Sequence, residues 1–195
     1  MSIASNATVA ASATVGQGSR IWELVQIREN AVLGQNCVVG RGVYIGPGVI
    51  IGENSKIQND ALIYEPASLG VGVFVGPAVV LTNDTYPRAI NPDGSLKSAT
   101  DWTPTGVTID EGAAIGARAV CVAPVHIGRW STVAAGAVVT KDVLDFALVA
   151  GVPARQIGWV GKSGRPLVKN EDTWLCSVTG ERYREHHRGL LEIEN

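Results

Sequence analysis

The sequence has few aromatic residues, few charged residues and few cysteines. Aromatic residues make up 6% and charged residues 17% of the 195 positions, whereas hydrophobic residues reach 46%. A core of this composition must be built from small aliphatic side chains. The 16 basic and 18 acidic residues give a net charge of −2, and they form no basic cluster. This balance argues against nucleic acid as a partner.

Signals for export, membrane insertion, disulfide bonding and zinc binding are also missing. Cys37, Cys121 and Cys176 are widely spaced and form no CxxC pair, which disfavours a disulfide framework and a zinc site. The first residues do not combine a basic region with an apolar run, and no apolar stretch reaches about 18 residues. We therefore expect a cytoplasmic protein that needs no metal and has no membrane partner.

An aliphatic residue recurs at every sixth position through much of the chain. The series runs from Ile3 to Leu81 without exception and resumes from Ile109 to Val139, with Cys121 as one member. A period of six excludes an amphipathic helix and is typical of a parallel β-helix, in which each repeat is one strand and one turn. The aliphatic residue and the residue two positions before it then both point inward. Glycine often follows the aliphatic residue, and we expect it to supply a positive φ at the turn.

The six-residue series breaks between residues 82 and 106. This segment is rich in proline, asparagine, aspartate and glycine, so it must leave the coil as a loop. A long loop inside a regular solenoid is often functional. Its two large aromatic residues, Tyr86 and Trp102, favour a wall or lid of a binding site.

The pattern decays again towards the end of the chain. We predict a β-helix over residues 1–145 and a C-terminal capping segment over residues 146–195, made of strand-like pieces that cover the open core. Thr179-Gly180 suggests a hairpin turn, and a short helix is expected from Glu181.

Several longer strings of the sequence are typical of one family. The repeats, the loop and the strings GAVVTKDV (136–143) and ALVAGVPAR (147–155) resemble the hexapeptide-repeat acyltransferases. The strings LIYEPASLGVGVFVGPAVVLTNDTYPRA (62–89), ARQIGWV (154–160) and CSVTGERY (176–183) are similar to those of bacterial sugar-nucleotide 3-N-acetyltransferases. The segment 91–102 is longer than in the known members, which leaves the identity of the substrate open.

The resemblance implies an architecture and an activity. The fold would be an all-β, left-handed parallel β-helix of triangular cross-section, with one ejected loop. The protein would be a homotrimer with its sites between subunits. It would transfer an acetyl group from acetyl-CoA to the amine, at the 3-position, of a nucleotide-linked amino sugar in lipopolysaccharide or other glycan biosynthesis. Outward aliphatic residues of the coils would bury themselves between subunits; the candidates are Val38, Val49, Ile50 and Val80.

The resemblance also implies roles for individual residues. Asn83 matches the residue that holds the acceptor amine, while the departing CoA sulfur takes the proton; the alternative is that Asn83 only starts a turn. Glu65 would bind sugar hydroxyls and Arg88 a diphosphate, and Tyr64 or Trp102 would stack on a base. The substrate contacts are thus Asn59, Tyr64, Glu65, Asp84 and Arg88. The acetyl-CoA contacts are Ala117, Ala135, Gly136, Lys141 and Arg155.

Two other functions stay open at this point. An O-acetyltransferase of a sugar would need a true base, because a hydroxyl is a weaker nucleophile than an amine. The chain has three histidines, and we expect His126 to point outward and not to act as that base. A non-catalytic binding scaffold is the second alternative, and the ejected loop speaks against it.

Overall fold

The computed structural model describes residues 1–193. These residues form strands, turns and connecting segments without a helix, and so none that is long and apolar enough to cross a membrane. The strands up to residue 139 are two or three residues long. In chain order they are β1 (Ser2–Ile3), β2 (Thr8–Val9), β3 (Thr14–Val15), β4 (Arg20–Ile21), β5 (Gln26–Ile27), β6 (Val32–Leu33), β7 (Val38–Val39), β8 (Tyr44–Ile45), β9 (Ile50–Ile51), β10 (Lys56–Ile57), β11 (Leu62–Ile63), β12 (Ser68–Leu69), β13 (Phe74–Val75), β14 (Val80–Leu81), β15 (Val107–Ile109), β16 (Ala114–Ile115), β17 (Val120–Cys121), β18 (Val125–Ile127), β19 (Thr132–Val133) and β20 (Val138–Val139).

The strands after residue 145 are three to five residues long. They are β21 (Ala147–Ala150), β22 (Arg155–Trp159), β23 (Val168–Asn170), β24 (Thr173–Leu175), β25 (Arg182–His186) and β26 (Gly189–Ile193).

Strands that are three apart in the chain pair in parallel and build three sheets. Sheet one contains β1, β4, β7, β10, β13, β16, β19, β21 and β22; sheet two contains β2, β5, β8, β11, β14, β17 and β20; sheet three contains β3, β6, β9, β12, β15 and β18. Partners in successive coils lie 18 residues apart, as Cys37 does from Ser19. Three hexapeptides therefore make one coil, and the predicted parallel β-helix is confirmed.

The ejected loop interrupts the chain but not the sheets. Residues 82–106 lie between β14 and β15, and Leu81 of β14 pairs with Cys121 of β17 in the next coil. The loop therefore enters and leaves at one corner of the prism, the corner at which the chain passes from sheet two to sheet three.

The interior of the coils matches the six-residue pattern. Ile27, Ile63 and Leu81 are fully or almost fully buried, as are the residues two positions before them. Serine takes some of these second positions, and its hydroxyl is hydrogen-bonded: Ser55 Oγ donates to the carbonyl of Gly70 and accepts from the amide of Val73, both at 3.2 Å. The buried hydroxyls are thus satisfied.

The expected role of the glycine after each aliphatic residue is wrong. Gly52 and Gly116 do not have a positive φ. A Cβ on Gly52 would lie 2.4 Å from the backbone carbon of Gly70 in the next coil. Glycine is needed there because adjacent coils approach closely. The left-handed conformation falls two residues later in the turn, as at Asn54 and Asp60, residue types that tolerate it.

The end of the chain folds as strands rather than as a helix. β21 and β22 extend sheet one beyond residue 145, and β23 to β26 form an antiparallel terminal sheet. The predicted hairpin near Thr179-Gly180 is confirmed, because it joins β24 to β25. The helix expected from Glu181 is wrong. In its place β25 directs Tyr183 inward, where the ring packs on Phe146 with centroids 5.1 Å apart. The boundary between residues 145 and 146 stays a prediction.

Candidate functional site

The corner between sheets two and three carries a column of residues from successive coils. The pairing of Ile63 with Leu81, Leu81 with Cys121 and Cys121 with Val139 sets its register. The residues two positions after these four occupy equivalent places. They are Glu65, Asn83, Ala123 and Lys141. The predicted substrate residue Glu65 and the predicted catalytic residue Asn83 thus lie one coil apart, and the predicted cofactor residue Lys141 lies two coils beyond Asn83.

Glu65 has an unusual carboxylate in this column. Its Oε2 atom is buried and has no hydrogen-bond partner within residues 1–193. A Cβ on Gly46 would lie 2.3 Å from that oxygen, so glycine makes the space for it. The ring of Tyr64 packs on Tyr44 beside it, with centroids 5.3 Å apart. A buried carboxylate oxygen without a partner is costly, and a donor from a ligand would relieve that cost.

Asn83 begins the loop without making the turn that was its alternative role. Its carbonyl accepts a hydrogen bond of 3.0 Å from the amide of Thr105, which closes the two ends of the loop. The turn belongs to Asp84, whose Oδ1 accepts from the amide of Tyr86 at 2.8 Å. Within the described residues no group hydrogen-bonds to the Asn83 carboxamide, so this amide remains able to bind a ligand.

Two of the other predicted substrate residues, Arg88 and Asn59, lie apart from this pair. Arg88 is exposed on the loop, and its guanidinium donates to the neighbouring carbonyl of Pro87 at 2.8 Å. Asn59 lies at the corner between sheets one and two, where its Oδ1 accepts from the amide of Arg41 at 3.1 Å. Within one chain, therefore, Asn59 does not join Glu65 and Asn83. Asn59 is only six residues from Glu65 in the sequence, so their separation along the chain did not show that they lie at different corners.

The predicted cofactor residues form two groups. Ala117, Ala135 and Gly136 lie together at the corner between sheets one and two, where the amide of Gly136 donates to the carbonyl of Ala117 at 2.9 Å. Lys141 and Arg155 line one cavity of about 240 Å³ at the end of the coils. This cavity presents two cationic side chains that suit phosphate groups.

His126 points outward from sheet three, as expected, but it has a partner that sequence reasoning missed. Its Nε2 lies 2.8 Å from Oδ2 of Asp110. The signal was available: Thr108 and His126 are paired positions, and Asp110 follows Thr108 by two. The amide of His126 donates to Oδ1 of Asp142 at 2.8 Å. Within residues 1–193 no group of three or more histidine, cysteine or acidic side chains is placed to hold a metal ion.

One of the four aliphatic residues expected to point outward from the coils points inward instead. Val49 is fully buried in the core, because it precedes the inward Ile51 by two positions. Val38 and Val80 are partly exposed, and Ile50 is exposed. Sheet two carries the longest outward apolar series, whose paired members are Tyr44, Leu62, Val80, Val120 and Val138.

The repeats match two known families and parts of characterised proteins. The family "Bacterial transferase hexapeptide (six repeats)" matches residues 12–52 and 30–65, and "Hexapeptide repeat of succinyl-transferase" matches residues 106–141. A dTDP-3-amino-3,6-dideoxy-alpha-D-galactopyranose 3-N-acetyltransferase of Aneurinibacillus thermoaerophilus is 41% identical over 76 residues, which cover 39% of each protein. A serine acetyltransferase of Bacillus subtilis is 31% identical over 87 residues, covering 45% of this chain and 39% of that protein. The chain thus spans about two fifths of the curated relatives that it matches.

Solved structures show the same fold. A galactoside acetyltransferase in complex with coenzyme A is 25% identical, with a TM-score of 0.55, and the match covers 69% of this chain and 66% of that one. A hexapeptide-repeat acetyltransferase of Vibrio cholerae, complexed with acetyl coenzyme A, is 24% identical with a TM-score of 0.54, covering 68% and 72%.

These findings define the class: the chain is a hexapeptide-repeat protein with a left-handed parallel β-helix fold. Its repeats resemble those of hexapeptide-repeat acyltransferases, and the predicted likeness to sugar-nucleotide 3-N-acetyltransferases is confirmed over 39% of the chain by the relative from Aneurinibacillus.

Proposed function

We propose that this protein transfers an acetyl group from acetyl-CoA to the amine of a nucleotide-linked amino sugar, at the 3-position of the ring. The observation that carries the proposal is the corner column, in which the unpartnered Glu65 carboxylate and the free Asn83 carboxamide lie one coil apart. Both groups accept hydrogen bonds, as an amine requires. The relative from Aneurinibacillus is named for this reaction on a dTDP-linked sugar.

The chemistry follows from these positions. Asn83 and Glu65 accept hydrogen bonds from the amine and orient its lone pair towards the thioester carbonyl. The nitrogen forms a bond to that carbon, the carbon–sulfur bond breaks, and the CoA sulfur takes the proton lost by nitrogen. Holding both reactants in this geometry supplies several kcal/mol of the barrier reduction. Lys141 and Arg155 would bind the CoA phosphates, and Arg88 the diphosphate of the acceptor.

The assembly we propose is a homotrimer with sites between subunits. The outward series of sheet two supports it, because Leu62, Val80 and Val120 form a continuous apolar strip beside the candidate corner. Burial of such a strip favours association. Asn59, Ala117 and Ala135, on the next corner, would then face the site of a neighbouring subunit. We place the reaction in the cytoplasm, within lipopolysaccharide or other glycan biosynthesis.

The experiment that tests the function is a screen of acceptors. UDP- and dTDP-linked 3-amino sugars are incubated with the protein and acetyl-CoA, and free thiol is measured. The matched controls are the same nucleotide sugars with a 3-hydroxyl. We expect thiol release with an amino sugar and none with its hydroxyl counterpart; release with neither, or with the hydroxyl sugar alone, contradicts the proposal.

One observation favours a second candidate, an O-acetyltransferase of a sugar. The hydrogen bond between His126 and Asp110 has the geometry of a histidine base that a carboxylate orients. If the hydroxyl sugars are acetylated and the reaction depends on His126, this second function replaces the first.

A further inference from the structure

The ejected loop has an internal structure of its own. Its middle part is a hairpin, in which Ile90 and Leu96 form an antiparallel bridge. The amide of Asn91 donates to the carbonyl of Ser95 at 2.8 Å, and the amide of Lys97 donates to the carbonyl of Ala89 at 3.0 Å. These bonds turn the chain back, so that the lengthened segment 91–102 returns to the base of the loop.

Asp101 fixes the return of that hairpin. Its Oδ2 accepts from the amide of Ser98 at 2.7 Å and from the Ser98 hydroxyl at 2.8 Å, with a longer bond from Asn91 Nδ2. These donors hold the pKa of the Asp101 carboxyl below its ordinary value. The carboxylate is therefore occupied by the loop's own groups, and the next residue in the chain, Trp102, is held in place.

A cavity of about 340 Å³ opens between the two arms of the loop. Its lining includes Tyr86, Lys97 and Trp102, together with hydroxyls of Thr85, Thr103 and Thr105. Asp84, which directly follows Asn83 in the chain, also lines it. This volume lies within the range of small-molecule sites.

The chemistry of the lining favours an aromatic, hydroxyl-bearing ligand over a small anion. Trp102 is partly buried, and Tyr86 is 80% exposed, so both rings offer surfaces for stacking. The single cation, Lys97, is opposed by the carboxylates of Asp84 and Asp101. With one ammonium and two carboxylates the lining has a formal net charge of −1, so it does not attract a free phosphate strongly, but the one ammonium suits a phosphate that is attached to a stacked base.

We propose that this cavity binds the nucleoside part of the acceptor, with Trp102 and Tyr86 stacking on the base and Lys97 contacting the adjacent phosphate. The inference rests on the proposed function, because it takes the acceptor to be a nucleotide sugar. It adds that the lengthened segment supplies two of the three recognition residues and so determines which nucleotide the enzyme accepts.

The test measures binding of dTDP, UDP and GDP to the full chain by calorimetry, with inorganic pyrophosphate as the probe for phosphate alone. We expect one of the nucleotides to bind and pyrophosphate to bind at least tenfold more weakly. Trp102→Ala should weaken nucleotide binding about tenfold or more, the size of a lost stacking contact. Trp102→Phe should restore most of it. Trp174→Ala is the matched control, because Trp174 is also partly buried but belongs to the terminal sheet.

The outcomes separate this inference from the proposed function. Pyrophosphate binding as tight as that of every nucleotide, no binding by any nucleotide, or wild-type affinity in Trp102→Ala, overturns the inference. Acetyl-CoA binding by the same variant should stay unchanged and reports that the coils are intact. If a nucleotide binds through Trp102 but no amino sugar releases thiol, the acetyl-transfer proposal fails while the nucleoside site stands.

Discussion

The coils and the ejected loop are organised by opposite rules. In the coils an environment recurs every 18 residues, so Ser55 repeats the hydrogen bonds that Ser19 makes two coils earlier. In the loop each contact is particular: Asp84, Asp93 and Asp101 each hold a different turn. We therefore expect stability to depend mainly on the repeated part and, under the proposed nucleoside site, nucleotide recognition to depend on the part that does not repeat. Changes in the two regions should have separable effects.

The largest expected effect comes from closing the space between coils. Gly52→Ala places a Cβ 2.4 Å from the backbone of Gly70, so one coil must shift. We expect a loss of about 3 kcal/mol in the free energy of unfolding, measured by chemical denaturation. Gly158→Ala is the control, because a Cβ there meets nothing within 4 Å. Equal stability of the two variants would show that the coils can move apart freely.

The second effect should appear in catalysis without a change in stability. Asn83→Ala removes the carboxamide that we assign to the acceptor amine, and kcat/KM should fall by roughly tenfold to a thousandfold, about 1.4–4 kcal/mol. The thermal midpoint should stay the same, because the turn is made by Asp84. Asn83→Asp keeps the size of the side chain and an acceptor oxygen but replaces the amide with a carboxylate. Its kcat/KM therefore separates the effect of side-chain size from the effect of the amide group. Unchanged kinetics in the Ala variant, with a proven amino-sugar substrate, would remove Asn83 from the site.

The pKa values of two cysteines differ between the coils and the terminal sheet. Burial among aliphatic side chains raises the pKa of Cys121 to about 12, whereas hydrogen bonds from Ser163 and Thr179 lower the pKa of Cys176 to about 7. Thiolate absorbance at 240 nm should therefore rise near pH 7, and Cys176→Ser should abolish that rise. Because folding lowers the pKa of Cys176, its thiolate adds to the free energy of unfolding. This contribution is fully present above the ordinary pKa of 9.0 and is lost as the pH falls through about 7. A rise that persists in the variant contradicts this assignment.

The smallest effect is expected at His126. Its bond to Asp110 is partly exposed, and an exposed pair contributes about 0–1 kcal/mol. His126→Ala should keep most of the acetyl-transfer activity towards an amino sugar, as should Asp110→Asn. A fall in kcat of about a hundredfold, the size expected for a lost general base, would make His126 the base and exclude proton transfer to the CoA sulfur.

The period of six was sufficient to predict the coils, because the place of a residue within its six-residue repeat determines whether its side chain is buried. The same arithmetic, carried further, would have shown that Val49 points inward and that Asn59 lies at another corner than Asn83. The reason for the glycines required a distance between coils, which no single repeat contains. In the terminal sheet the strand-like pieces and the hairpin were predicted, but β25 and β26 were not, because they alternate around only a few buried residues, such as Tyr183 and Leu190. The bond between His126 and Asp110 joins residues of adjacent coils.

The register of the corner column makes the β-helix a molecular ruler. Successive coils are stacked at the spacing of paired strands, about 4.8 Å, so Asn83 and Lys141 are separated along the axis by two such steps. Removal of one complete coil between them would keep every corner and every inward side chain in place, yet would shorten the reach from the acceptor to the cationic cavity by one step. Under the proposed function, the distance between the two substrates can therefore change only by whole coils, whereas the loop can change by single residues.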